Sequence, residues 1–238
     1  MCGRFTITQE LGTLSAKFQF SESDLVDTYI PRYNAAPSQE IAVLLNTFGN
    51  STALRTAGMM RWGLIPSWSK NINLRFNTIN ARSETIANSK AYGFPFRRQR
   101  CLILADSYYE WVGKGNHKSP MRITLDNNQP FAMAGVWDTW HNPLKDEQIT
   151  SCTIITCASN ESIGLIHSRM PVIIDPENYD LWLNPNQTET GLLRELTIPY
   201  PSNKMAYYPV STHVNSTKND DLMCIQEIND TQLFVSDH

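Results

Sequence analysis

What most constrains this chain is a succession of runs rich in β-branched and aromatic residues. They are Ile41 to Leu45, Leu54 to Ile65, Cys101 to Val112, Met121 to Leu125, Phe131 to Trp137, Cys152 to Cys157 and Val172 to Ile174. Such runs read as strands. Helix signals are fewer. Ser21 to Asp24 followed by Leu25, Val26 and Tyr29 predicts a short capped helix, and Ser83-Glu84-Thr85 to Tyr92, stopped by Gly93, predicts another. Asp175-Pro176 opens a further one over Glu177 to Leu183, with proline at the first helical position. Strands therefore outnumber helices and do not alternate with them, which argues against a doubly wound βαβ fold. The pattern predicts an α+β fold: a mixed, mainly antiparallel sheet curled toward a barrel-like core, with helices packed outside.

The 238 residues are 41% hydrophobic and 18% charged, enough apolar surface to offset the ordering entropy of a globular chain. No repeat, low-complexity tract or Gly/Ser linker divides them, so residues 1–238 read as one domain. Twenty basic against twenty-three acidic residues leave a net charge of -3, and any nucleic-acid site must be a local patch. No stretch reaches the ~20 apolar residues that cross a bilayer, and the start carries no signal-peptide pattern, so no membrane partner is expected. The five cysteines show no C-x-x-C spacing, which signals neither a disulfide framework nor a zinc site. No metal or cofactor is called for, and the nucleotide-binding, zinc-protease and serine-hydrolase strings are absent.

Chemistry begins at Met1-Cys2-Gly3-Arg4-Phe5. Removal of the initiator Met leaves Cys2 with a free α-amine beside its thiol. An α-amine has a pKa near ~7.8 against ~10.4 for lysine, so part of it is nucleophilic at neutral pH without burial. It can form an imine with an aldehyde, and the neighbouring thiol can then close a five-membered thiazolidine. The plain alternative is an arbitrary second residue leading into a first strand.

Further along, Arg61-Trp62-Gly63-Leu64-Ile65-Pro66-Ser67-Trp68 sets a cation and two indoles around a turn, as a stacking platform for bases would, or as core aromatics do. Asn77 to Thr85 brings Asn80, Arg82 and Glu84 to the start of the expected helix, either an anion site or a capping sequence. Glu110 between Tyr109 and Trp111 is a carboxyl that desolvation would turn into a general acid, unless it faces water on an alternating strand. His167, with Arg169 two residues on, precedes an apolar strand and can exchange protons at neutral pH. The basic stretch Arg97-Arg98-Gln99-Arg100 reads as a solvated turn.

Taken together, these strings resemble the SOS-response-associated peptidase (SRAP) family. The resemblance rests on Met-Cys-Gly-Arg-Phe, Arg32-Tyr33-Asn34-Ala35-Ala36-Pro37, Trp62-Gly63-Leu64-Ile65-Pro66, Asn80 to Thr85, Ala105-Asp106 through Glu110-Trp111, Ile166 to Pro171, and Pro209-Val210-Ser211. It implies a monomeric protein that senses abasic sites in single-stranded DNA and shields them through a thiazolidine cross-link at Cys2. Asn80 would then hold the sugar or its phosphate, Glu110 assist ring opening and imine formation, and His167 move protons. Arg4, Arg82 and Arg169 would grip phosphates, and Trp68 and Pro37 would stack or wedge against neighbouring bases. It also implies a place with the DNA, on the nucleoid of a bacterial cytoplasm or in the nucleus of a eukaryotic source, and lyase-like chemistry. The family's name carries an alternative, a thiol autopeptidase with Cys2 as nucleophile and His167 as base. A non-covalent DNA reader is the remaining reading. Ser107 stands where many relatives carry glycine, Tyr208 where histidine is expected, and Val214 to Asp220 matches the family's tail too loosely to be given a role.

Overall fold

The computed structural model describes residues 2–46, 55–72, 78–114, 117–126, 128–142 and 144–228. In chain order the strands are β1 (Arg4–Ile7), β2 (Arg32–Ala35), β3 (Glu40–Leu45), β4 (Thr56–Trp62), β5 (Asn80–Arg82), β6 (Arg100–Ala105), β7 (Ser107–Lys114) and β8 (His117–Leu125). They continue with β9 (Phe131–His141), β10 (Gln148–Ala158), β11 (Arg169–Pro171), β12 (Ile173–Ile174) and β13 (Met205–Pro209). The helices are α1 (Leu11–Phe18), α2 (Gly93–Arg98), α3 (Glu161–Gly164), α4 (Tyr179–Leu183) and α5 (Thr190–Glu195).

Strands β10, β4, β3, β6 and β9 pair in succession, and β9 pairs back onto β10, so this part of the sheet closes into a barrel. All its pairings are antiparallel except β10 with β4. Every residue of β6 is buried, as a strand covered on both faces requires. Close packing is tightest at Gly135 on β9, where an added Cβ would lie 2.8 Å from Cys101 Sγ and 3.1 Å from the Thr153 carbonyl oxygen. Closure also removes the unpaired edges an open sheet would expose. The expected curled, mainly antiparallel core with outer helices is the observed fold.

The second sheet has the order β13-β8-β7-β1-β2. Here the first strand of the chain is an interior strand, with Arg4 opposite Tyr109 of β7 and Phe5 opposite both Tyr108 of β7 and Ala35 of β2. The chain's beginning is thus held on both sides.

Several expectations need correction. The run from Cys101 to Val112 is two strands, each in a different sheet, broken at Asp106. Asp106 donates its backbone N–H to the Thr6 carbonyl at 2.8 Å, and its carboxylate accepts from the Thr8 N–H at 2.5 Å and the Thr8 hydroxyl at 2.7 Å. Ser21 to Tyr29 forms only a 3-10 turn at Glu22–Asp24, and Ser83 to Tyr92 one at Ile86–Asn88. Gly93 does not stop a helix; it begins α2, and a Cβ there would meet the Ala87 carbonyl oxygen at 2.8 Å. The third helix is present as a 3-10 turn at Pro176–Asn178 running into α4. Arg97 and Arg98 end α2 rather than a loop, and Arg100 is buried, donating to the carbonyls of Trp182, Phe96, Asn184 and Gln187. Arg100 is thus internal scaffolding, whereas Arg98 is exposed. Met1, Leu54 and Asn77 lie outside the described residues.

Candidate active site at the start of the five-stranded sheet

Cys2 is buried, just ahead of β1, where the start of that strand lies along β7. Its carbonyl accepts a hydrogen bond of 2.9 Å from Asn80 Nδ2. Asn80 opens β5, which is laid against β10 in parallel, Asn80 opposite Ile154. The other side-chain atom of Asn80, Oδ1, is buried without a hydrogen-bond partner among the described residues. A buried acceptor left open is costly and points to a donor that arrives with a ligand or a new chain terminus.

Glu110 is supplied by β7 and is almost wholly buried. Burial pushes its carboxyl above the ordinary 4.5, against the pull of nearby positive charge, His167 included. Burial likewise drives the Cys2 thiol well up, and the Glu110 carboxylate adds to that rise. The hydroxyl of Tyr108, also without a hydrogen-bond partner among the described residues, is kept neutral first by burial and then by Cys2 and Glu110. Cys2, Tyr108 and Glu110 therefore share one poorly solvated environment.

His167 is delivered by the turn from α3 to β11. Its own N–H is anchored on the Ile163 carbonyl at 2.9 Å, and the Arg169 N–H donates to His167 Nδ1 at 3.0 Å. Nδ1 also lies 3.3 Å from the Arg169 carbonyl, so the backbone of Arg169 offers this nitrogen both a donor and an acceptor and holds the ring in place in either tautomer. His167 and Glu110 line one cavity of about 410 Å³ together with Arg4, Trp111, Lys118 and Asn215.

Arg4 is oriented inward. It donates to Asn34 Oδ1 at 2.8 Å, the Val214 carbonyl at 2.8 Å and the Asn215 carbonyl at 3.1 Å, and its guanidinium lies 6.0 Å from the Trp111 ring centre. Arg169 makes a two-pronged pair with Glu84, at 2.6 and 3.0 Å, and reaches the Thr156 carbonyl at 2.6 Å. Arg82 is exposed. It lines a second cavity of about 420 Å³ with Asn80, Lys90, Tyr92 and Trp68. Trp68 is half exposed, with Lys90 Nζ 4.7 Å from its ring centre. Pro37 is partly buried in the turn from β2 to β3 and lines neither cavity.

The fold thus gathers Cys2, Asn80, Glu110 and His167 from four separate segments, with Arg4 behind them and Arg82 and Trp68 on the neighbouring cavity. Asn34, Trp111, Lys118 and Asn215 were not singled out by sequence. Asn34 and Trp111 sit inside strings that carry the resemblance, whereas Lys118 and Asn215 had no sequence signal. The two departures from the family pattern meet at one place: Arg122 Nε donates to Ser107 Oγ at 2.8 Å, and its Nη1 donates to the Tyr208 hydroxyl.

Among the described residues, His213, Asp221 and Cys224 form the one cluster of metal-ligand type. Its members already have partners: His213 Nε2 meets Asp221 Oδ2 at 3.1 Å, Asn219 Nδ2 meets His213 Nδ1 at 3.1 Å, and the Cys224 thiol donates to the Asn219 carbonyl. No helix of the described residues is long and apolar enough to cross a membrane.

Comparison with known proteins extends this picture. The family model for SOS response associated peptidase (SRAP) matches residues 1–217. The chain is similar to the abasic site processing protein YoqW of Bacillus subtilis, at 41% identity over 92% of this chain and 96% of that one. It is also similar to the abasic site processing protein HMCES of Gallus gallus, at 33% identity over 84% of this chain and 67% of that one. A crystal structure of a protein from Bacteroides thetaiotaomicron shares the fold with a TM-score of 0.82 at 22% identity, over 96% of this chain and all 100% of that one. On the strength of the family match and these relatives, the chain belongs to the SRAP family.

Proposed function

We propose that this protein processes abasic sites in DNA by forming a covalent bond to them through Cys2. The observation that carries this reading is the placement of Cys2 against Asn80 and Glu110, beside a cavity that also holds His167. The names of its relatives support the same substrate.

The chemistry starts from the protein without its initiator Met. A ring-opened deoxyribose presents an aldehyde at C1. The Cys2 amine adds to that carbon, giving a carbinolamine, and loss of one water leaves an imine. Protonated Glu110 donates the proton that the departing hydroxyl needs, and its raised pKa keeps such a proton available. The Cys2 S–H then adds across the C=N bond: sulfur bonds to C1, the proton goes to nitrogen, and the thiazolidine closes. An imine at this position invites β-elimination and strand scission. Saturating C1 removes the electron sink that elimination needs, so the ring protects the strand. His167, which lines the same cavity, moves the proton during ring opening of the sugar. Asn80 fixes the Cys2 backbone and offers Oδ1 to the free amine or to a sugar hydroxyl.

Single-stranded DNA suits the second cavity, because an exposed indole beside Lys90 and Arg82 can stack an unpaired base and hold its phosphate. One copy of the chain supplies every group, so a monomer suffices. A peptidase would need Cys2 as a thiolate, and burial opposes that ionisation. Addition to an imine uses the neutral thiol.

The test is a short single-stranded DNA with one abasic site, mixed with the wild type and with Cys2→Ala and followed on a denaturing gel. The wild type is expected to give a heat-stable adduct and Cys2→Ala none. Equal adduct from both would remove Cys2 from the chemistry.

A further inference from the structure

The segment Val214 to Asp220, to which the sequence assigns no role, is fastened across the cavity by residues from the other end of the chain. Arg4 donates to the carbonyls of Val214 and Asn215. Asn34, wholly buried on β2, spends its Nδ2 on the carbonyls of Val214 at 3.1 Å, Ser216 at 3.0 Å and Asn219 at 2.7 Å. Asp220 accepts from the N–H groups of Tyr33 at 2.6 Å and Asn34 at 2.8 Å, and pairs with Arg32. A surface loop fixed from so many sides is a wall with a set position.

Asn215 is the residue of that wall that shares the cavity with Glu110 and His167. Its side chain is oriented by chemistry as well as by backbone. Trp111 Nε1 can only donate, and it does so to Asn215 Oδ1 at 2.8 Å. The acceptor end of the amide is therefore turned to the indole, and both N–H bonds of Nδ2 are left for something else. Arg4, in contrast, has both terminal nitrogens engaged by Asn34 and the wall itself. An uncharged donor pair on an exposed side chain, its backbone pinned through buried Asn34 and its amide turned by Trp111, fits beside a general acid an oxygen acceptor whose position must be fixed before reaction.

We propose that the Nδ2 amide of Asn215 donates to an acceptor oxygen of the abasic nucleotide, a hydroxyl of the opened sugar or a flanking phosphate, and so aligns its aldehyde for attack by Cys2. Trp111 acts through Asn215 as a positioning residue. This inference rests on the abasic-site reading above.

The experiment measures the rate of adduct formation for the wild type, Asn215→Asp and Asn215→Leu, by intact mass, with three aldehydes: abasic single-stranded DNA, free 2-deoxyribose and propanal. Asn215→Asp keeps the acceptor that Trp111 needs and loses the donors; Asn215→Leu loses both without adding charge. Both variants are expected to react about tenfold more slowly with abasic DNA, the scale of one hydrogen bond, with a clearly smaller loss on propanal, which has no oxygen besides the reacting carbonyl. A comparable loss on 2-deoxyribose assigns the contact to a sugar hydroxyl, and a loss confined to DNA assigns it to phosphate. Wild-type rates in both variants would overturn the inference, as would an equal loss on all three aldehydes. A loss in one variant alone would overturn it too, since that reports charge or wall shape instead of donation. A wild type that forms no adduct with any aldehyde contradicts the aminothiol reading itself, which separates that failure from this one.

Discussion

The closed barrel and the five-stranded sheet solve opposite problems. In the barrel, β6 runs apolar from Cys101 to Ala105 against Ala132, Met133 and Ala134 of β9, and its buried Arg100 is spent on four backbone carbonyls. The five-stranded sheet buries Thr6, Asn34, Ser107 and Glu110, with Asp106 at its border. Buried polar groups cost free energy unless paired, and here most are paired in networks: Asp106 with Thr6 and Thr8, Asn34 with Arg4 and the C-terminal wall. The difference locates the chemistry. The barrel's buried Arg100 serves its own scaffold, whereas the five-stranded sheet holds a carboxyl with a raised pKa beside the start of the chain.

If that contrast is right, its largest test is Asn34→Ala. The substitution removes the acceptor of Arg4 and the shared donor of three carbonyls, and should cost about 3 kcal/mol or more in urea unfolding. Because the wall is also freed, adduct formation by the remaining folded protein should fall as well.

Next is Glu110→Gln, which should slow adduct formation about a hundredfold, the lower range for a general acid. It should also change the pH dependence of stability. Burial raises the folded pKa of Glu110 above its ordinary 4.5, so the folded state holds this proton more tightly than the unfolded state. Its contribution is therefore complete below pH about 4.5 and is lost as pH rises through the folded value. Denaturation curves over that window should fall for the wild type and flatten in Glu110→Gln.

Gly135→Ala strikes the barrel. The added methyl meets Cys101 Sγ and the Thr153 carbonyl, and overpacking of this kind should cost about 2 kcal/mol. The adduct rate per folded molecule should not change, since no site residue moves. The smallest effect belongs to Glu84→Gln. Glu84 is half exposed, so losing its pair with Arg169 should cost less than about 1 kcal/mol. The released Arg169 should raise non-covalent affinity for single-stranded DNA several-fold, a gain that titration at rising salt should erase.

The same contrast explains what could be read from the sequence. Barrel strands β3, β6, β9 and β10 were legible because a strand covered on both faces must be apolar almost throughout. The break at Asp106 was not, because nothing local marks it; a carboxylate captured by Thr8, almost a hundred residues earlier, makes it. Strands β2, β5, β11 and β13 are short and take their register from distant partners. Helix α1 was missed because Glu10 makes no side-chain cap and no acid occupies its first turn. Gly93 looked like a helix stop, yet the Ala87 carbonyl requires glycine at a helix start. At the site, Cys2, Glu110 and His167 stood out by chemical type and by strings that resemble a family. Asn215 did not, since its meaning comes from Trp111 and Arg4, residues far away in the chain.

The central claim is that the terminal amine and thiol of Cys2 together close a ring on the abasic sugar. Its most direct test is the intact mass of the adduct formed with abasic single-stranded DNA in the absence of any reductant. The account predicts a heat-stable species with the mass of the protein lacking Met1 plus the DNA minus one water, mapping to the N-terminal peptide. An adduct that survives only after borohydride reduction, or one that retains Met1, would contradict it.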